Sequence, residues 1–523
     1  MSNIEFKYPE EFFNNLSNLD NSNNSNRIVT RFPPEPNGYL HLGHVKAIKI
    51  DFSFAKENNG ICILRFDDTN PSAESEDFYE NIREDVKWME YDYVNETNTS
   101  DYFDILYNFA IQLIKQGDAY VCELSQEEIR KSRAEKIEST YKNRPIEESL
   151  KLFEEMKNGL HTEGKLTLRM KGDLNNPNST LWDVVMYRIN KNKHSKTNDK
   201  WSIYPSYDFS HCIIDSIENV THSFCTTEYE IRREQYYWFL EKLKLTKPYV
   251  YEFAKLEIEN DILSKRKIKE MVENNIVKGW DDLRLLTLKG LRRRGYIPYA
   301  LKEFCRHAGI TKSDTSLSKH LLENIIREKL HTVAPRKLIV MNPIKIIINN
   351  YKNYQINNSV KCNASNFPFD KNSTTREIML TREIYIDQDN FKEIDEKDFY
   401  GLAPNKFVRL KYGPFIKFES FDHVNKVIYA NIEEPPNPKK IKGILNWVAS
   451  DFNKIIIRQF DGLLMNEYEC FGENSLSKNI VKIEDKFQFE KYGFYCVDKD
   501  SNKSNYLIFN ETVKLKSSYK SNI

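Results

Sequence analysis

Two histidines stand three positions apart in His41-Leu42-Gly43-His44. On a helix, positions i and i+3 share a face, so both imidazoles can point the same way. A helix start also offers unpaired amides and the positive end of the dipole, which together suit a phosphate group. Gly43 removes a side chain where a nucleotide would need to approach the backbone. More than two hundred residues later comes Ser264-Lys265-Arg266-Lys267. A lysine on a mobile loop can follow the phosphates of ATP and neutralise charge that grows in a transition state. Each motif alone also has a plain reading, as two surface histidines on a helix and as a solvated basic turn. A third cluster, His211, Cys212, His222 and Cys225, falls within about fifteen positions. Adjacent ligands at 211 and 212 would point to opposite faces of a strand, and the spacing fits no common zinc pattern, so no metal is expected.

The elements that must hold these groups can be read from patterning. Residues 28–32 read as a short strand, Pro33-Pro34-Glu35-Pro36-Asn37-Gly38 breaks the backbone, and a helical pattern follows over about 41–56. After Asn59-Gly60, Ile61-Cys62-Ile63-Leu64-Arg65-Phe66 reads as a buried strand, and 76–89 has helical spacing. Strand, helix, strand, helix with short breaks predicts an α/β fold with a parallel sheet covered by helices. The pattern changes over 118–200 to short helices, a strand-like 165–170 and a Lys/Asn-rich stretch, as expected of a domain inserted into the first fold. Strand signals resume at 201–208. Residues 265–334 are helical and basic, with Arg292-Arg293-Arg294. From Pro335 to 523, β-branched and alternating runs (338–341, 344–348, 427–432, 455–458) predict a mostly antiparallel β-barrel region. Residues 1–26 end in a polar Asn/Ser run and are expected to be a flexible lead-in.

At 523 residues the chain exceeds one hydrophobic core. Its 77 basic residues balance 77 acidic ones, which argues against a bulk polycation but allows basic stripes on one face. No apolar run is long enough to span a membrane, and no signal-peptide core opens the chain. The 8 cysteines are scattered without a C-x-x-C pair, which suits reduced thiols. A soluble, cytoplasmic protein is expected.

The stretch Arg31-Phe32-Pro33-Pro34-Glu35-Pro36-Asn37-Gly38-Tyr39-Leu40-His41-Leu42-Gly43-His44 resembles the signature of the glutamyl/glutaminyl branch of class I aminoacyl-tRNA synthetases. Further blocks follow in the family order: Leu64-Arg65-Phe66-Asp67-Asp68-Thr69-Asn70-Pro71, Tyr204-Pro205-Ser206-Tyr207-Asp208-Phe209, Gly279-Trp280-Asp281-Asp282 and Gly290-Leu291-Arg292-Arg293-Arg294-Gly295-Tyr296. The resemblance spans roughly residues 27–500. It implies a Rossmann-type catalytic domain in two halves, 27–117 and 201–264, split by an inserted acceptor-stem-binding domain over 118–200. A helical subdomain over 265–334 and two anticodon-binding β-barrels over 335–523 would follow. It also implies that ATP, with Mg²⁺, sits between the histidine turn and the Ser264–Lys267 loop. Glu35, Pro36, Asn37, His41, Leu42, Gly43, His44, Val45, Lys46, Thr226, Lys255, Leu256, Leu263, Ser264 and Lys265 would surround it, with His41, His44 and Lys265 catalytic. The loop reads Ile262-Leu263-Ser264-Lys265-Arg266, which lacks the first lysine of the family's KMSKS pattern but keeps Lys265. Lys255 stands where bacterial relatives carry arginine.

Glutamine and glutamate are nearly isosteric, so the pocket must read charge. A glutamate site would set a guanidinium against the side-chain carboxylate, whereas a glutamine site must avoid an unpaired buried cation. Glutamyl enzymes of the archaeal/eukaryotic type carry arginine where this chain has Cys225, so the resemblance implies L-glutamine as substrate. Asp67 would hold its ammonium, Tyr207 its side-chain amide, and His211 would lie nearby. Plain readings remain for Cys225, a small buried hydrophobe, and for Tyr207, a core aromatic. The resemblance further implies a monomeric ligase that forms glutaminyl-adenylate once tRNA is bound and transfers glutamine to the 2′-hydroxyl of the terminal adenosine of the glutamine tRNA. Arg336, Arg409, Lys411, Gln488 and Lys491 match its tRNA-binding positions. Bacterial relatives differ in carrying a basic pair near Tyr400-Gly401 and an Asp at the position of Ile231. A glutamyl-tRNA synthetase is the nearest alternative, with Cys225 against it. A non-catalytic tRNA-binding paralogue would lose His41, His44 or Lys265, all of which are present. A nucleotidyltransferase sharing the histidine turn would not need the β-rich C-terminal half.

Overall fold

The computed structural model describes residues 7–14, 27–259, 264–358 and 360–515. The chain forms two compact units, one of residues 1–276 with 301–318 and the other of 277–300 with 319–523. None of the described helices is long and apolar enough to cross a membrane.

The first unit is built on parallel strands. A short helix, α1 (Glu11–Asn14), precedes β1 (Val29–Phe32), α2 (Leu42–Glu57), β2 (Ile61–Phe66), α3 (Glu76–Trp88) and β3 (Glu96–Asn98). The first sheet runs β1-β2-β3, all parallel, with Val29 opposite Ile61 and Leu64 opposite Glu96. Every residue of β1 is buried, as expected for a strand covered on both faces. The return from α2 into β2 needs a glycine, because a Cβ on Gly60 would lie 2.3 Å from the carbonyl oxygen of Ile28. The 1–26 expectation changes at its described part, where Phe12 of α1 is buried and stacks on Phe224 at 4.7 Å. The polar run expected to make that lead-in flexible, residues 20–26, lies outside the described residues.

After α4 (Phe103–Gln116) the insert begins with β4 (Ala119–Cys122), α5 (Gln126–Glu135), α6 (Ile146–Lys157), β5 (Thr167–Met170), β6 (Val185–Ile189) and β7 (Ile203–Pro205). Its sheet is antiparallel in the order β4-β5-β6-β7. The strand signal at 201–208 therefore belongs to the insert rather than to the parallel sheet. Pro205 closes that strand and Ser206 caps the helix that follows, α7 (Tyr207–Ile217). The insert shares one hydrophobic core with α4, α7 and α8 (Arg233–Leu243), through Phe103, Phe153, Met186, Phe209 and Phe239 among others.

The parallel pair β8 (His222–Thr226) and β9 (Tyr249–Phe253) completes the catalytic half. The residue before β8, Thr221, donates its N–H to the Val29 carbonyl at 2.9 Å, so β8 lies beside β1. The chain thus leaves β1 toward β2 and β3 on one side and continues from β8 to β9 on the other. A second parallel pair joins β10 (Leu256–Ile258) to β11 (Thr315–Leu317), just before α9 (Lys265–Glu273) in one case and after a helix over Pro298–Ala308 in the other. Of the helical stretch 265–334, residues up to 276 and 301–318 fall in the first unit and the rest in the second.

The second unit holds two seven-stranded, barrel-like sheets, each around its own apolar core. One centres on Trp447, Ile346 and Ile428, the other on Ile457, Phe489 and Phe509. Most pairings are antiparallel, as the alternating patterns predict. Parallel pairings also occur, between Pro343–Ile348 and Val427–Ile432, and between Asn453–Asp461 and Leu507–Lys514.

Candidate active site

The carboxyl ends of β1, β2, β8 and β9 open on a cleft of about 990 Å³. Its place, where the strand order reverses between β1 and β8, is where ligands settle in open parallel sheets.

At one side α2 starts with His41 as its N-cap. The His41 ring accepts the Gly43 N–H on Nδ1 at 3.1 Å, and the His44 ring accepts the His41 N–H on Nδ1 at 3.1 Å. Both Nδ1 atoms are acceptors, so the proton of each neutral ring resides on Nε2. Burial, reinforced by the charge of Lys265, lowers the pKa of His41 to about 3, and burial also holds His44 well below its usual range. In the free protein the pair therefore offers neutral N–H donors at a helix start. The ring centroids are 3.9 Å apart.

Lys265 crosses to the opposite wall and donates to the Glu35 carbonyl at 3.0 Å and to Asn37 Oδ1 at 2.8 Å. Burial brings its pKa down to about 8. Lys255 pairs with Glu228 at the rim. The carboxylate of Asp67, directly after β2, accepts from Thr99 Oγ1 at 3.4 Å, and burial with the nearby Glu35 pushes its pKa up to about 6.

The other end of the cleft is aromatic. Tyr207 stacks on His211 at 4.5 Å and lies 5.2 Å from Tyr229, ring to ring. Beneath them Arg31 is buried and makes four hydrogen bonds. Its Nε donates to Asp215 Oδ1 at 3.1 Å, Nη1 to the Phe224 carbonyl at 2.7 Å, and Nη2 to Ser223 Oγ at 2.7 Å, with His211 Nε2 at 2.5 Å. Arg65 also donates to Asp215, at 2.7 Å, and pairs with Glu218. Burial opposes the charge on Asp215, yet Arg31, His211 and Arg65 hold its carboxyl well below the usual range. Two guanidinium groups thus meet two carboxylates, Asp215 and Glu218. Beside it, burial pushes the Cys225 thiol up to about 12, so Cys225 is neutral.

The cleft brings together Glu35, Asn37, His41, Gly43, His44, Thr226, Lys255, Leu256, Ser264 and Lys265 with Asp67, Tyr207 and Cys225. His211 stands behind Tyr207. The side chains of Leu42 and Val45 are buried in the fold, as is Lys46, whose Nζ donates to the Ala254 carbonyl at 2.6 Å. Pro36 is buried in the turn, and Leu263 lies outside the described residues. Sequence reasoning left out Arg31, Arg188, Glu228 and Tyr229, which also line the cleft. Arg31 sits inside a quoted motif, but its partner Asp215 is 184 residues away. His222 is directed elsewhere, toward the Phe12 carbonyl at 3.1 Å.

In the second unit the five expected RNA-binding residues are neighbours. Arg336 and Gln488 are register partners on adjacent strands. Arg336 is buried, donating to the carbonyls of His331 at 2.8 Å and Ala334 at 3.1 Å. Lys411 pairs with Glu490 at 3.0 Å, and Lys491 donates to the Ile444 carbonyl at 2.6 Å. Ile444 is in turn the register partner of the exposed Arg409. The Gln488 Oε1 is buried without a hydrogen-bond partner.

A parallel α/β unit with a histidine-capped helix start and a facing lysine at its switch point is a nucleotide-binding catalytic fold. The family model for the catalytic domain of class I tRNA synthetases (E and Q) matches residues 27–332, and the model for their anti-codon binding domain matches residues 334–433. The chain belongs to this glutamate/glutamine family of class I tRNA synthetases. It is 44% identical over 527 residues to "Glutamine--tRNA ligase, cytoplasmic" of Arabidopsis thaliana, covering 94% of this chain and 66% of that one. It therefore spans about two thirds of that relative's length. It is 40% identical over 552 residues to a glutamine--tRNA ligase of Pasteurella multocida, covering 98% of this chain and 97% of that one. Among solved structures, a glutamate tRNA ligase from Elizabethkingia meningosepticum matches with a TM-score of 0.44 and 22% identity, over 58% of this chain and 70% of that one.

Proposed function

We propose that the protein is a glutamine–tRNA ligase. The observation that carries this reading is the charge-balanced floor of the cleft, where Arg31 is paired with Asp215 and Cys225 is neutral. A glutamate carboxylate beside Arg31 would meet a guanidinium already committed to Asp215, while a glutamine amide leaves that pair undisturbed. The relatives named as glutamine--tRNA ligases support it.

In this reading the glutamine ammonium meets Asp67 and its side-chain amide meets Tyr207. The substrate carboxylate attacks the α-phosphate of ATP, forming glutaminyl-adenylate and releasing pyrophosphate. The 2′-hydroxyl of the terminal adenosine then attacks the adenylate carbonyl and AMP leaves. His41 and His44 donate Nε2 protons to phosphate oxygens, and Lys265 leaves Glu35 and Asn37 to follow the charge that develops. Mg²⁺, when bound with ATP, would supply further charge neutralisation. Among the described residues no three His, Cys, Asp or Glu side chains gather as ion ligands, so the ion would be held through the nucleotide phosphates. The insert would receive the acceptor end, and Arg336, Arg409, Lys411, Gln488 and Lys491 the anticodon, whose splayed bases are read by hydrogen bonds and stacking.

Charging of glutamine tRNA by the purified protein tests the reading, with Lys265→Ala beside it. The wild type is expected to transfer labelled glutamine. The variant should lose about 100-fold or more in kcat while KM for ATP changes by less than about 5-fold, since the lysine acts on developing charge. Equal losses in both would reject that role, and no charging by the wild type would reject the function.

A further inference from the structure

The segment joining β6 to β7 belongs to the insert, yet it reaches the loop that follows β2. At its centre His194 is completely buried. Its Nδ1 accepts the backbone N–H groups of Lys196 and Thr197, each at 3.1 Å. Those two bonds place the ring proton on Nε2, which donates to the backbone carbonyl of Asp68 at 3.0 Å. Asp68 directly follows Asp67, the carboxylate that lines the cleft. The Asp68 side chain is anchored separately, accepting the Ser100 N–H at 2.8 Å and the Ser100 hydroxyl at 2.6 Å.

Asp68 is therefore held from two directions: its carboxylate by the catalytic half, its peptide carbonyl by the insert. Fixing a carboxylate and a carbonyl of one residue leaves its backbone little rotational freedom, and Asp67 projects from the adjoining peptide. Beside this bond, Glu74 gives one oxygen to the Asn70 N–H at 2.6 Å. Its other oxygen lies 3.6 Å from His194 Nε2 and has no hydrogen-bond partner. A purely space-filling role at position 194 would be served by an apolar side chain without burying three polar contacts. A further tie is weaker in kind: Asn190 and Asn192 from the same segment donate to the Ser72 hydroxyl at 3.0 and 2.8 Å, at the far end of the loop.

We propose that His194 is a positioning residue for the amino-acid side of the cleft, setting the stance of Asp67 through the Asp68 carbonyl and coupling it to the insert. This rests on the reading of Asp67 as the ammonium partner of glutamine. A displacement of the insert reaches the Asp67–Asp68 peptide through this hydrogen bond.

The test is steady-state charging of glutamine tRNA by full-length His194→Ala, His194→Gln and His194→Asn. Glutamine carries an amide N–H out to the place of Nε2, whereas asparagine reaches only as far as Nδ1. H194A and H194N are expected to raise KM for glutamine about 10-fold or more, the worth of one buried hydrogen bond, and to leave KM for ATP within about 2-fold. H194Q should restore the glutamine KM to within about 3-fold of the wild type. An equal rise for glutamine and ATP, or an unchanged glutamine KM in H194A and H194N, would overturn the proposal. If H194A does not fold, the Gln and Asn variants decide by the same comparison. Failure of the wild type to charge glutamine is seen before any variant is made and removes the functional reading on which the proposal stands.

Discussion

In the proposed reading, Arg31 and Cys225 select the substrate by what they withhold. A guanidinium in the floor of an amino-acid pocket would ordinarily favour a carboxylate, but Arg31 already pairs with Asp215 and bonds Phe224, Ser223 and His211. Cys225, uncharged beside it, adds nothing for a carboxylate to bind. Replacing Cys225 by arginine would introduce a guanidinium that Asp215 is too committed to neutralise. Cys225→Arg is expected to lower kcat/KM for glutamine by about 100-fold, from leaving a cation unpaired against an amide, and to raise that for glutamate. Kinetics with both amino acids check this, and unchanged glutamine kinetics would show that position 225 does not face the side chain. The positions of Asp67, Tyr207 and Cys225 on the cleft were legible because each lies in a contiguous block that resembles the family's. The state of Arg31 was not, because Asp215, Ser223 and Phe224, which bond it, are about 180–190 residues away in the chain.

The elements that set these groups follow from local chemistry in the first half of the chain. The proline-rich turn, the capped start of α2 and the Asn59-Gly60 return into β2 all stand where the sequence places them. The boundaries of the insert were harder to read. β7 is only three residues long, Ile203–Pro205, and pairing with β6 rather than patterning decides its sheet. β11 likewise is a three-residue strand whose partner β10 is remote in sequence. At the loop between β2 and α3, burial and the neighbouring Asp68, Asp67 and Glu35 push the Glu74 carboxyl up to about 8, against a bond from the Asn70 N–H. Its ordinary value is 4.5. The folded state thus binds this proton more tightly than the unfolded chain. The resulting stability is complete below about pH 4.5, falls as pH rises from there to about 8, and is gone above that. Glu74→Gln, which cannot ionise, should melt several degrees above the wild type at pH 9 and show no such advantage at pH 5. Thermal unfolding at the two pH values measures it. An offset that does not depend on pH would mean that Glu74 is already ionised in the folded protein.

On the scale of the molecule, an α/β unit and a β-rich unit were both visible in the sequence, since hydrophobic period switches near residue 335 from helical to alternating. The unit that each helix over 265–334 joins was not, because it is decided by tertiary contacts that periodicity cannot report. The parallel pairings within the barrel-like sheets were hidden for the same reason. Within the second unit, the RNA-binding candidates come from strands as far apart as 336 and 488, brought side by side by register alone. In the proposed reading the first unit activates glutamine and refuses glutamate because Arg31 in its pocket floor is already committed to Asp215. The most direct measurement is kcat/KM of the wild-type protein for glutamine and for glutamate, with ATP, Mg²⁺ and glutamine tRNA. The account predicts a preference for glutamine of about 1,000-fold or more, as expected when the wrong side chain leaves a buried charge unpaired. Comparable or better use of glutamate would contradict it.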